Sequence, residues 1–250
     1  MADLLTPGLI LAAAATFLFA GLVKGVTGMG LPTFAMAVLG SLVSPAAAAA
    51  LLIVPSFVTN LWQLLAGPAF AGLARRLWPM MAGIVAGTFA GASLLASGDT
   101  GASTAALGAT LVAYAAWSLL GRQPRAPARL ERWASPIVGL ATGLVTGATG
   151  VFVVPAVPYL QALDLEKDDL VQALGLSFTV STLALAGALA VRGAYQVGDL
   201  AVSTFAVLPA LAGMWLGQEI RRRVSPAAFR RWFLVGLLLL GAEMLLRPLF

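Results

Sequence analysis

The 250-residue chain contains no cysteine and no histidine. Without cysteine no disulfide constrains it, and thiol usage says nothing about its redox compartment. The two absences together exclude haem attachment, Cys/His metal sites and a Ser–His catalytic pair. No cofactor and no metal are expected. Charge is the third scarcity: 10% of the residues are Asp, Glu, Lys or Arg, where a soluble domain carries about a quarter. The alternating segments of about ten residues that a membrane barrel needs are missing too.

Apolar residues take the place of all these. They make up 60% of the chain, and its mean hydropathy is +0.95. Several apolar runs reach or approach the roughly 20 residues that cross a bilayer as helix. The fold class is therefore all-α and polytopic, with the lipid bilayer as first partner. The net charge of +5 is the ordinary signature of cytoplasmic loops and gives no reason to expect nucleic acid. Asp3 and the lack of a basic stretch before the first apolar run argue against a cleaved signal peptide.

Glycine is plentiful and clustered. Gly21-Leu22-Val23-Lys24-Gly25-Val26-Thr27-Gly28 is followed by Gly30 and Pro32. Half a chain later comes Gly143-Leu144-Val145-Thr146-Gly147-Ala148-Thr149-Gly150, followed by Pro155. Six of the eight positions agree. Clustered glycine with a nearby proline weakens a helix. In a membrane, broken backbone is tolerated only where it is buried in protein or lines a cavity. Matching breaks in two halves point to a transporter's binding site; helix-packing faces are the plainer alternative.

The remaining landmarks repeat in the same order. Residues 6–26 are apolar, and Leu31 to Leu42 is a second apolar piece, too short to span. Spans are expected near 46–65, 77–96 and 101–120. After a Pro- and Arg-rich linker the second half offers a segment from about Ser135 to its break, a short piece from Phe152 to Leu163, and spans near 170–191, 200–218 and 227–246. Ser56-Phe57 recurs as Ser177-Phe178. The expected domains are a first transmembrane repeat over 1–120, a linker over 121–134 and a second repeat over 135–250.

Eleven of the thirteen arginines fall at Arg75/Arg76, Arg122–Arg132 and Arg221–Arg231, which should face the cytoplasm. Asp99 should then face outward, while its second-half counterpart near Arg221–Arg231 lies inside. The halves are thus expected to be inverted relative to each other. Each glycine break becomes the tip of a hairpin entering and leaving on one side, with the N-terminus outside. This places the protein in the cell (inner) membrane as a multi-pass chain.

Lys24 lies deep in an apolar segment, where a charge marks a functional-site hypothesis; it could instead snorkel to the interface. Thr27, Thr149 and freed backbone N–H groups at Gly28, Gly30 and Gly150 offer donors to a small anion. Thr146 stands where the first copy has Lys24. Asn60 and Gln63 lie with Ser56 and Thr59 on one helical face, and Ser177 and Ser181 share a face of the matching helix. Hydroxyls on helices often only bond their own backbone or a neighbouring helix, whereas wide amides facing lipid are costly.

At these residues the sequence resembles the TauE/SafE family, the sulfite exporter or toluene-sulfonate uptake permease family. The resemblance rests on Gly25, Gly28, Gly30 and Pro32 in the first half and on Gly147, Gly150 and Pro155 in the second. The runs Val154–Gln161 and Gln172–Thr179 carry it further. It implies a non-enzymatic membrane transporter of sulfite, sulfonates or related organic anions, with export by alternating access as the first expectation. An anion channel, an uptake permease and a non-transporting partner subunit are the alternatives, and a homo-oligomer is left open.

Overall fold

The computed structural model describes residues 7–120, 128–195 and 203–247. The described secondary structure is helical: α1 Pro7–Thr27, α2 Leu31–Leu42, α3 Pro45–Leu65, α4 Phe70–Ala96, α5 Thr100–Leu120, α6 Ala128–Thr149, α7 Ala156–Ala162, α8 Lys167–Val191, α9 Val207–Arg221 and α10 Pro226–Leu246. Five of these, α1, α3, α4, α5 and α8, are long and apolar enough to cross a membrane. Helix α2, at 12 residues, is about 18 Å long and falls short of a hydrocarbon core of roughly 30 Å. The chain is an all-α, polytopic membrane protein.

Two helix starts share one chemistry. Ser44 accepts from Ala47 N at 3.2 Å ahead of Pro45, and Ser225 accepts from Ala228 N at 3.5 Å ahead of Pro226. The serine satisfies a free amide of the first turn, and proline sits where its missing N–H costs nothing. Helix α4 begins at Phe70, so Arg75 and Arg76 lie inside it rather than before it. Helix α6 begins at Ala128, within the stretch expected as linker. Residues 121–127 and 196–202 lie outside the described residues, so the rest of that linker and the expected start of a span near Leu200 are not placed.

The helices approach through glycine. On α4, a Cβ at Gly83 would lie 2.6 Å from Pro136 O, and one at Gly87 would lie 2.8 Å from Leu144 N, both on α6. In return, a Cβ at Gly143 would lie 2.7 Å from Thr88 N. The same holds between α1 and α9, where a Cβ at Gly25 would lie 2.9 Å from Gln218 N and one at Gly213 would lie 2.8 Å from Leu18 C. Backbones that touch this closely gain dispersion contacts without a hydrophobic drive, which lipid cannot supply. Helix α5 packs on α10 and α3 on α8.

Helix α3 carries Pro55 in its interior. Proline removes the N–H that would bond the carbonyl four residues back, here that of Leu51. Ser203 Oγ donates to Leu51 O at 2.6 Å and accepts from Val54 N at 3.1 Å. A hydroxyl from the second half thus fills the break, as backbone inside a bilayer requires.

Candidate functional site

Helix α1 makes its last turn at Gly28, whose N–H donates to Lys24 O at 2.7 Å. The chain then turns through Gly28 at φ 78 and Gly30 at φ 98, left-handed values that glycine alone adopts without strain. Thr27 Oγ1 lies 2.8 Å from both Val23 O and Met29 O and accepts from Met29 N at 3.3 Å. Pro32 sits in the first turn of α2, whose ladder opens with Phe34 N donating to Gly30 O at 2.8 Å.

The second break is built alike. Gly150 N donates to Thr146 O at 2.8 Å, and Gly150 has φ 69. Thr149 Oγ1 donates to Val145 O at 2.7 Å and accepts from Val151 N at 3.3 Å. Thr146 Oγ1 donates to Val151 O at 3.3 Å. Beyond it the two differ. Val151, Phe152 and Val153 are buried without helical structure, and α7 starts only after Pro155. A Cβ at Gly150 would lie 2.9 Å from Met36 Sδ, whereas one at Gly28 would meet nothing within 4 Å. The first elbow borders open space at Gly28, whereas the second is covered at Gly150 by α2.

Lys24 lies beside the open elbow and is 3% exposed. Its Nζ donates to Asn60 Oδ1, and to Thr59 Oγ1 at 3.3 Å. Thr59 Oγ1 donates in turn to Pro55 O at 2.8 Å. Asn60 Nδ2 donates to Thr182 Oγ1 at 3.3 Å, tying α3 to α8. Gln63 Nε2 donates to Gly28 O at 3.1 Å and to Val171 O at 2.9 Å, while its Oε1 is buried and has no partner. The described residues form ion pairs at Arg76–Glu131, Arg222–Glu219 and Arg247–Glu243. Lys24 therefore holds its place through neutral oxygens, without a carboxylate. A cavity of about 200 Å³ opens beside it, lined by Lys24, Gly28, Trp62, Gln63, Gln218 and Arg221 among others. Gln218 and Arg221 are exposed, so the cavity reaches toward the arginine-rich end of the bundle.

The sequence model of one family, described as sulfite exporter TauE/SafE, matches residues 13–244. The chain belongs to this family. Its members are membrane transporters and not enzymes, and no group of three acidic, Cys or His side chains able to hold a metal occurs among the described residues. No curated protein and no solved structure matches the chain.

In this TauE/SafE protein, the expected residues separate into three groups. Lys24, Gly28 and Gln63 line the cavity, and Asn60 holds Lys24 there. Thr27, Gly30 and Pro32 shape the first elbow, and Thr146, Thr149, Gly150 and Pro155 belong to the second, away from the cavity. Ser56, Ser177 and Ser181 are fully buried on α3 and α8, and none of their hydroxyls has a partner. Thr182, Gln218 and Arg221 were not expected. Thr182 adjoins Ser181 on the same helix, which was signal enough to include it. Nothing in the sequence brings α9 beside Lys24 except the Gly213–Gly217 pair that lets the two helices touch.

Proposed function

We propose that this protein exports a small oxyanion (sulfite, a sulfonate or a related organic anion) across the cytoplasmic membrane by alternating access. The observation that carries the reading is Lys24: a buried lysine on a cavity, its amine fixed by Asn60 and Thr59 and matched by no carboxylate. A buried charge is costly unless it is paired, and an anion entering the cavity supplies the missing charge. Gly28 and Gln63 flank the same space, and the unpartnered hydroxyls of Ser56, Ser177 and Ser181 continue a polar line along α3 and α8. Membrane potential assists the exit of anions by about 2.3 kcal/mol per charge per 100 mV. Alternating access is favoured over a channel because the first elbow borders open space at Gly28 while the second is covered at Gly150 by Met36.

The same reading takes residues 1–120 and 135–250 as inverted-topology repeats joined by 121–134, with the arginine-rich loops cytoplasmic and the N-terminus outside. Supporting it, the packing exchanges between halves: α1 lies on α9 and α6 on α4, each a break helix against the fourth helix of the other half. The matched threonine bonds at Thr27 and Thr149 agree. The test is anion flux into liposomes under an imposed potential, over sulfite, sulfate, thiosulfate, sulfonates and carboxylates. Saturable flux that follows the potential and collapses in Lys24→Ala is expected. Flux of every anion indifferent to both the voltage and the substitution ends the proposal.

A further inference from the structure

A second space of about 470 Å³, lined in part by Val23, lies between the first elbow and α10. It is apolar: Phe34 of α2 forms one wall, and Ala228, Trp232, Phe233, Gly236 and Leu240 run along α10. Phe34 and Phe233 pack at 6.4 Å between ring centroids, and a Cβ at Gly30 would lie 3.2 Å from Phe233 Cζ. The elbow thus fixes the groove's wall. From Ala228 to Leu240 the stripe is about 18 Å long at 1.5 Å per residue, close to one leaflet's half of a roughly 30 Å hydrocarbon core. One end of the stripe is basic, with Arg223 exposed in the turn before α10 and Arg230 and Arg231 in its opening turns. Arg222 is paired with Glu219, but no ion pair to Arg223, Arg230 or Arg231 occurs among the described residues, and Arg230 Nε is buried without a partner.

We propose that this groove holds one acyl chain of an anionic phospholipid from the leaflet on the arginine side, with the phosphate resting on Arg230, Arg231 and Arg223. The length matches a single leaflet, the wall is apolar throughout, and the unpaired guanidinium groups stand only at the end where a headgroup would lie. Clustered basic residues beside membrane helices attract anionic lipid at about 1 kcal/mol per residue. A zwitterionic lipid offers the same phosphate to the buried Arg230 Nε but brings its own cation beside the arginines.

The test is native mass spectrometry of the full chain released from nanodiscs of equal parts phosphatidylcholine and phosphatidylglycerol. The unaltered protein should retain one phosphatidylglycerol in preference to phosphatidylcholine. That preference should fall about fivefold in each of Arg230→Gln and Arg231→Gln. Gly236→Phe, at a position where a Cβ meets nothing within 4 Å, should fill the groove and lose the lipid altogether. Should Gly236→Phe fail to fold, the arginine variants still decide. Equal retention of the two lipids, a preference unmoved by both arginine changes, displacement of the lipid by inorganic phosphate, or a second copy of the chain held at the groove would each overturn the proposal.

Discussion

Lys24 is a buried basic side chain whose hydrogen-bond partners, Asn60 and Thr59, are both neutral. Its burial could not be read from sequence, because the apolar stretch before it is almost long enough for the amine to snorkel past. The neighbour that settles its position, Asn60, lies 36 residues away on another helix. A hydrogen bond to a charged group is worth about 1.5–3 kcal/mol. Lys24→Gln, which keeps the length and removes the charge, should therefore raise the half-saturating anion concentration by about 10- to 100-fold, read from concentration-dependent flux. Lys24→Arg should recover part of the loss, and equal flux in all three proteins would show that the charge has no part in binding. Asn60→Ala leaves the buried amine short of an acceptor. It should destabilise the protein by about 1.5–3 kcal/mol, seen as a lower thermal midpoint in detergent even without substrate.

Among the elements, α2 begins and ends at Leu31 and Leu42, where its apolar run does, because a left-handed glycine precedes it and a serine-capped proline follows. Helix α7 was not legible to the same degree. An apolar run from Phe152 invites a helix, but proline biases the residue before it toward extended backbone, and the helix forms only from Ala156. The glycine stripes announced close packing without naming the partner, since a face without side chains fits any other such face. This is why the pairing of α4 with α6 had to come from the structure. It makes a prediction with two signs on one helix. Gly87→Ala would push a Cβ to 2.8 Å from Leu144 N and should cost about 1–3 kcal/mol of stability through overpacking. Gly72→Ala, where a Cβ meets nothing within 4 Å, should be neutral or gain up to about 1 kcal/mol of helix propensity. Thermal unfolding of the two variants side by side in one detergent checks both.

At the scale of the whole molecule, the two halves do not pack as separate bundles. Each break helix lies on the other half's fourth helix, and Ser203 completes the interior of α3 across the same boundary. The first half does not satisfy its own backbone in lipid, and the proposed movement between states would displace α1 with α9 and α4 with α6 as units. The inverted arrangement proposed above fixes the sides on which equivalent turns emerge. The turn after α4, at Asp99, and the turn after α9, at Arg223, hold corresponding places in the two halves but should lie on opposite faces of the membrane. The natural absence of cysteine makes this directly measurable, since Asp99→Cys and Arg223→Cys each introduce a lone thiol at an exposed position. In sealed right-side-out vesicles a membrane-impermeant maleimide should label the Asp99→Cys protein and spare the Arg223→Cys protein until the vesicles are opened. Labelling of both from one face would mean that the halves run the same way up, and the two elbows could not then serve opposite sides of a shared site.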